Sequence, residues 1–217
     1  MLSHTRTSFL SQFCRTRFSS RQPTLSSPLK SLAFIRFQST QSQAIRDQSY
    51  PYPLYYHLLP QPSSSTSATS SSDEQPLSYA VSFLPTFPHH NYQIIGFLTH
   101  DKIGDLHATP NKFTENEVFN TVLHTVIQNN LDKDPLVLPV LQLQLEGWTH
   151  ITDYRNPAPH GRIPLPEDIF GSVQIIDGVI QPSTYQRMPT HRIVSSNGVF
   201  QLSEYLHEKL VNHLKTF

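Results

Sequence analysis

The side chains best suited to chemistry are concentrated in one stretch of the chain, residues 148–173. Three of them could transfer protons: His150, Glu167 and Asp168. A general acid or base must titrate and must reach the reacting atom, and these residue types serve most often. The stretch therefore holds the weak catalytic candidates of this sequence.

Two arginines in the same stretch permit two interpretations. In the first, Arg155 and Arg162 form ion pairs with Asp153, Glu167 or Asp168 and fasten a Pro-rich loop to a sheet, as arginines beside acids commonly do. In the second, the arginines form an anion or phosphate pocket together with His150 or Tyr185, because guanidinium groups bind such anions through paired hydrogen bonds. Structural pairing is the favoured interpretation.

The adjacent acids Glu167 and Asp168 also have two possible roles. They could act as a general acid/base pair. They directly follow Pro166, however, and Pro followed by acids is typical of the first turn of a helix, where negative charge is stabilised. Capping of a short turn is the favoured role.

The sequence predicts no metal site and no cofactor. On the strand predicted over residues 148–153, His150 and Asp153 face opposite sides, so a metal pair would require the strand to twist or end, which weakens that interpretation. The 12 histidines are scattered at spacings that match no standard zinc site. The single cysteine, Cys14, excludes a disulfide framework. Phosphate-binding Gly-rich loops, nucleophile elbows and zinc-protease helices are all missing from the sequence.

One block in this stretch carries a resemblance. Residues Gly161–Val173 read G-R-I-P-L-P-E-D-I-F-G-S-V, followed by Thr184–Arg192 and an Asn197-Gly198 turn before a closing helix. This pattern resembles an uncharacterised family of fungal mitochondrial proteins with a G-R-I-P-x-P-E-D-I-x-G-S-V block, over roughly residues 92 to 217. The resemblance implies a mitochondrial protein and the limits of its domain. That family has no established activity, so the resemblance assigns no catalytic residue.

The first 46 residues carry seven basic side chains and no acid. Leu2, Phe9, Leu10 and Phe13 recur at helical spacing among Ser, Thr and Arg, which is the composition of a mitochondrial import segment. We therefore predict a cleavable transit peptide over residues 1–40 and a location in the mitochondrion, in the matrix. The alternative is a basic tail that binds nucleic acid. No apolar run is long enough to predict a transmembrane segment.

Residues 41–76 are rich in Pro, Tyr and Ser, including a Ser-rich run from Ser63 to Ser72. Such a composition buries too little apolar surface to offset the entropy of ordering, so we predict a disordered linker. The aromatic patch Tyr50–Pro60 leaves an alternative open, in which its rings lie along the domain or a partner.

The remaining residues, 77–217, predict a single α+β domain: an antiparallel β-sheet with two or three helices packed on one face. Its strands cover residues 77–84, 92–99 and 148–153, with hairpins at Asp177-Gly178 and Asn197-Gly198.

Three helices are predicted in this domain. One begins at a Thr114–Glu117 capping box and presents Val118, Phe119, Val122, Leu123, Val126 and Ile127 on one face. A second, favoured over a strand, covers residues 134–147. The third begins at Ser203 and presents Tyr205, Leu206, Leu210 and Leu214.

Charge and the lack of a catalytic motif together favour one function. The first 46 residues contain seven of the 16 Lys and Arg residues. The rest of the chain therefore has nine Lys and Arg residues and 16 acids, a net charge of about −7. The favoured function is therefore a non-catalytic accessory or assembly factor that docks on a larger mitochondrial complex through a protein partner, without direct nucleic-acid binding. The alternatives are an enzyme acting on a small anionic metabolite and a mitoribosome-associated factor.

Overall fold

The computed structural model describes residues 44–60, 77–100, 106–139, 144–159 and 162–216. These residues all belong to one compact unit that starts at Thr40. Ten β-strands and two α-helices have their full extent within the described residues. They are β1 Ile45–Arg46, β2 Tyr55–Leu58, β3 Leu77–Ser82, β4 Gly96–His100, β5 Phe113–Glu115, α1 Glu117–Asn130, β6 Gly147–Thr152, β7 Ile169–Ile176, β8 Val179–Arg187, β9 Val194–Ser195, β10 Gly198–Val199 and α2 Glu204–Lys215.

The strands form three antiparallel sheets rather than the single sheet that we predicted. The largest has five strands in the order β1-β2-β3-β4-β5, the second has the order β6-β7-β8, and β9 pairs only with β10. The predicted α+β class is confirmed, since antiparallel sheets combine with two helices. Neither α1 nor α2, the helices within the described ranges, is long and apolar enough to cross a membrane.

The first two strands come from the segment predicted to be a linker. β2 pairs with β3 in the register Tyr56↔Val81, and the side chains of Leu54, Tyr56 and His57 are almost completely buried. The phenol of Tyr56 also donates a hydrogen bond to Asp47 Oδ2 over 2.8 Å. The prediction of a disordered linker over 41–76 is therefore wrong for residues 44–60, because their large apolar side chains bury enough surface to offset ordering. Residues 61–76 lie outside the described part.

The β7–β8 hairpin is confirmed at Asp177-Gly178. Both residues have positive φ, 52° and 70°, as the tight turn requires. The second hairpin is shifted by one residue from its prediction. Gly198 pairs with Ser195, so Ser196 and Asn197 form the loop and Gly198, with φ 96°, begins β10.

Helix α1 begins at a different cap from the predicted one. The side chain of Asn116 accepts the N–H of Val118 over 3.1 Å, whereas Thr114 lies in β5. Asn116 also donates to the carbonyl of Ile94, so a long-range contact decides the cap. The apolar face is buried at Phe119, Leu123, Val126 and Ile127, but Val118 is exposed.

Helix α2 follows its prediction closely. Ser203 caps it by accepting the N–H of Leu206 over 3.1 Å, and Leu206, Leu210 and Leu214 are buried. The helix predicted over 134–147 is wrong at residues 144–146, which are not helical, and residues 140–143 lie outside the described part. Asp134 instead accepts the N–H of Leu136 in a turn.

Four phenylalanines join the layers of the core. Phe83 follows β3, Phe119 lies on α1, Phe170 on β7 and Phe200 after β10, with ring centroids of Phe119–Phe200 and Phe170–Phe200 separated by 6.2 and 6.0 Å. The helices and both larger sheets therefore share one hydrophobic core.

Replacement of Leu54 tests whether residues 44–60 belong to the folded domain. Leu54 has no exposed surface, so Leu54→Ala should lower the free energy of unfolding by about 2–5 kcal/mol. The control is Leu58→Ala. Because Leu58 is 37% exposed, its replacement should lower the free energy of unfolding by less than about 0.5 kcal/mol. Urea unfolding followed by circular dichroism measures both, and an equally small effect at the two positions would contradict the inclusion of this segment.

Candidate functional site

The guanidinium group of Arg155 lies at the centre of a buried polar cluster. The side chain is only 2% exposed, and its Nε donates to Asp168 Oδ1 over 2.9 Å and lies 3.4 Å from Asp153 Oδ2. Arg155 follows the end of β6, whereas Asp168 ends the short helical turn that precedes β7. The ion pair therefore fastens the connection between these two strands.

Backbone carbonyls take up the other donors of Arg155. One terminal nitrogen donates to Gly198 O and Ile193 O over 3.0 and 3.3 Å, and the other to Glu167 O and Arg192 O over 2.9 and 2.8 Å. A guanidinium group has five N–H donors, and these contacts use them all. Arg155 thus has no donor left for an external anion.

The two carboxylates beside Arg155 have partners on both of their oxygens. Asp153 Oδ1 accepts the backbone N–H groups of Arg155 and Gln201 over 3.0 and 2.8 Å. Asp168 Oδ2 accepts the side-chain amide of Asn156 over 3.1 Å. Both carboxylates are buried. Asp168, one of the proton-transfer candidates, therefore holds the fold together, as the structural interpretation of the arginines and acids predicts.

Two histidines extend the cluster toward α1. His191 Nε2 lies 3.3 Å from Asp153 Oδ2, and its ring centroid lies 6.2 Å from that of His124 on α1. His124 Nδ1 is 2.8 Å from the phenol oxygen of Tyr185 on β8. Tyr185, which the pocket interpretation grouped with the arginines, therefore pairs with a histidine of another element.

Burial fixes the protonation states of this pair. Desolvation, followed by the coulombic interaction with Arg187, lowers the pKa of His124 to about 3. Desolvation also raises the pKa of Tyr185 above its ordinary value. At neutral pH the pair is thus an uncharged imidazole and an uncharged phenol. Nε2 of His124 is buried without a hydrogen-bond partner.

The remaining candidate residues are not brought together. His150 faces outward from β6, where its Nδ1 lies 2.9 Å from Ser172 Oγ, and it lines a cavity of about 130 Å³. Glu167 lines a separate open cleft of about 690 Å³ with Glu115 and Arg192. Arg162 is exposed in the Pro-rich loop. Among the described residues, His150 and Glu167 therefore line different cavities.

The block that carries the family resemblance has mainly structural contacts. Its Asp168 binds Arg155, and its Ser172 contacts His150. A Cβ atom at Gly171 would lie 2.7 Å from the ring of Tyr185, so only glycine allows this ring to pack across β7. His160 and Gly161 lie outside the described residues. Within the described ranges, no three His, Cys, Asp or Glu side chains are grouped to hold a metal ion.

The sequence analysis missed the roles of His124 and His191. His124 lies one turn after Asn120 and one position after Leu123, both of which are buried on α1. A histidine on the core side of an amphipathic helix was the available signal. The pairing of His191 with Asp153 joins residues 38 positions apart, and no local pattern indicates it.

An exposed apolar group lies at the turn end of the three-stranded sheet. We call it the hairpin patch; it comprises Leu145, Trp148, Ile176 and Val179, which are 71%, 49%, 42% and 58% exposed. Ile176 pairs with Val179 across the hairpin, and Trp148 pairs with Gln174 on β7. Because paired residues share a face of a sheet and positions two apart along a strand do also, Trp148, Ile176 and Val179 project from one face. Leu145 is held beside them by a 2.8 Å hydrogen bond from Gly178 N to its carbonyl.

Removal of Arg155 tests its structural role. Arg155→Ala leaves two carboxylates buried without their cation, and we expect the free energy of unfolding to fall by about 3–5 kcal/mol. Arg162→Ala is the matched control, since Arg162 is exposed and should change stability by less than about 0.5 kcal/mol. Chemical denaturation measures both variants. Similar stability of the two variants would show that the buried ion pairs are not needed for folding.

Acid should destabilise the protein through its buried histidines. Burial lowers the pKa of His207 to about 4 and is the main cause of the low pKa of His124, about 3, from an ordinary 6.5. The unfolded chain therefore binds protons first as pH falls. The stability from these groups is complete above pH 6.5 and is lost progressively toward pH 4 and 3.

His207→Phe should reduce this loss, because the ring packs between Tyr52 and Phe83 and its Nδ1 is buried without a partner. Unfolding free energies at about pH 7.5 and about pH 5 give the pH dependence. The exposed control His89→Gln should keep the wild-type dependence. If the His207→Phe variant also keeps the wild-type pH dependence of stability, His207 does not contribute to acid sensitivity.

Comparisons with protein-family models, curated proteins and solved structures found no match to this chain. Two features of the described residues bear on function: a buried arginine whose donors are all used and an exposed apolar patch.

Proposed function

We propose that this protein is a non-catalytic accessory factor that docks on a larger mitochondrial assembly through the hairpin patch. Two features support this proposal. Arg155, a candidate for anion binding, has all of its donors in internal bonds, and Asp168, a candidate for proton transfer, is buried with both oxygens bonded. The surface, in contrast, offers large apolar side chains to a partner.

The exposure of Trp148 is the main observation that supports this proposal. A tryptophan buries a large apolar area on binding and is enriched among the residues that dominate interface energies. Trp148 is the only tryptophan in the chain, yet about half of its surface is exposed beside Ile176 and Val179. Clustered exposed apolar groups on a sheet are typical of protein-binding surfaces.

The charges around the patch indicate what the partner offers. Glu146 and Asp177 are exposed next to the patch in sequence, and the chain after residue 46 has a net charge of about −7. Complementarity favours a partner with an apolar pocket bordered by Lys or Arg side chains. The same charge disfavours bare RNA, so a mitoribosomal partner would be contacted through one of its proteins.

The location in the mitochondrion belongs to the same proposal. Its support is the acid-free, basic composition of residues 1–46, which lies mostly outside the described residues. An enzyme acting on a small anionic metabolite has weaker support, because Glu167 and His150 line different cavities.

A paired substitution in the patch tests the proposal. Trp148→Gln combined with Val179→Gln removes the apolar contact area while keeping both positions uncharged. We expect the wild-type chain to co-sediment with a large complex from solubilised mitochondria, and the double variant to shift to the mass of the free protein.

The control is Val118→Gln, which replaces an exposed valine on α1, 46% exposed, away from the patch. It should sediment as the wild type does. Wild-type protein found only at its own mass would rule out the accessory role, whereas equal sedimentation of the double variant and the wild type would rule out the patch as the docking site.

A further inference from the structure

A second surface of the domain is a cleft of about 500 Å³ between residues 52–55 and α2. One of its walls consists of rings: Tyr52, Pro53, Tyr55, Phe83 and Pro85. The other wall is one side of α2, where Glu204 and Glu208 lie at the N-terminal end and Lys215 at the C-terminal end. We call this cleft the aromatic groove.

Contacts beneath the surface hold the ring wall in place. Tyr52 stacks on His207 of α2 with centroids 4.1 Å apart and planes 13° apart, and its phenol donates to Leu202 O over 3.4 Å. Phe83 packs edge-on against the same histidine at 4.8 Å. Tyr55 is fixed by the pairing of β2 with Ser82 on β3. The groove is therefore formed before any ligand binds, and a ligand need not order it.

A preformed wall of aromatic and proline rings suits one kind of ligand. Polyproline II segments are extended, have no internal hydrogen bonds and bury their proline rings between aromatic side chains. Such a segment loses little conformational entropy on binding, since its backbone is already restricted. The rings of Tyr52 and Tyr55 offer this type of surface.

The acidic end of the groove adds a charge preference. Glu204 and Glu208 are one helical turn apart and exposed, and neither has an ion-pair partner among the described residues. Like charges at this spacing repel each other, and a cation between them would relieve the repulsion. Glu204 and Tyr52 line the same groove, and burial and then the Glu204 carboxylate raise the pKa of the Tyr52 phenol.

We propose that the aromatic groove binds an extended proline-rich peptide segment that carries a Lys or Arg, with its prolines on Tyr52 and Tyr55 and its cation at Glu204 and Glu208. Lys215 at the other end of α2 disfavours a second cation there. This site is additional to the proposed function, because none of the hairpin-patch residues lines the groove.

The test uses the full chain and a fluorescent polyproline peptide that contains arginine, with binding measured by anisotropy. We expect saturable binding. A Gly/Ser peptide with the same arginines should bind at least about fivefold more weakly, as should a polyproline peptide with glutamate in place of arginine. Equal binding of the Gly/Ser peptide would reduce the interaction to charge alone and would overturn the proposal, as would the lack of saturable binding.

Substitutions then locate the site. Glu204→Gln combined with Glu208→Gln should weaken binding about fivefold, and Tyr55→Ala should weaken it further. Asp132→Asn combined with Glu146→Gln removes the same charge from exposed positions outside the groove and should leave affinity unchanged. If Tyr55→Ala fails to fold, the surface glutamates still decide the outcome, because equal affinity of the two double variants would overturn this location.

The double variant Trp148→Gln/Val179→Gln separates this site from the hairpin patch. It should bind the peptide with wild-type affinity even where it no longer joins a larger assembly. Loss of peptide binding in this folded variant would place the peptide site outside the groove.

Discussion

The structure depends on the burial of one cation between two acids. Removing a guanidinium group from water is expensive, and only a full set of acceptors offsets this cost. Arg155 finds two carboxylates and four backbone carbonyls in the connections after β6, before β7 and around β9 and β10. The excess negative charge of Asp153 and Asp168 is balanced by backbone N–H groups, by Asn156 and by contact with His191. Segments with little regular secondary structure are fixed in this way.

The same saturation decides between structural and chemical roles for these residues. Arginine and aspartate beside histidine are also the residue types of an anion-binding active site, so residue type alone does not distinguish the roles. The number of free donors does. Arg155 has none, and Asp168 is buried with both oxygens bonded. Apolar and aromatic side chains, in contrast, are available on the surface, in the hairpin patch and the aromatic groove.

Local signals predicted local features well. The Asp177-Gly178 turn and the Ser203 cap depend on neighbouring residues, and both are found in the structure. The predictions are wrong where a contact with a residue distant in sequence determines the local structure. Residues 44–60 are rich in Pro and Tyr, which predicted a linker, but β3 provides a strand on which β2 can pair. Asn116, rather than the predicted Thr114, caps α1, because the carbonyl of Ile94 accepts a hydrogen bond from the side-chain amide of Asn116. In the site, the pairing of Arg155 with Asp168 was among the predicted alternatives, because the two residues are only 13 positions apart. The contact of His191 with Asp153, 38 positions apart, depends on the tertiary fold.

The buried cluster and the exposed groove are linked through residues 198–202. Arg155 binds Gly198 O and Asp153 binds Gln201 N, which fixes the chain between β10 and α2. The phenol of Tyr50 donates a hydrogen bond to Phe200 O, and that of Tyr52 donates one to Leu202 O, both in this segment. Along residues 54–56, Leu54 and Tyr56 enter the core while Tyr55 lines the groove. The rings that form the binding wall are therefore held both by the core and by carbonyls that the ion pair positions. Arg155, whose donors are all bonded inside the fold, thus contributes to the rigidity that a preformed binding surface requires.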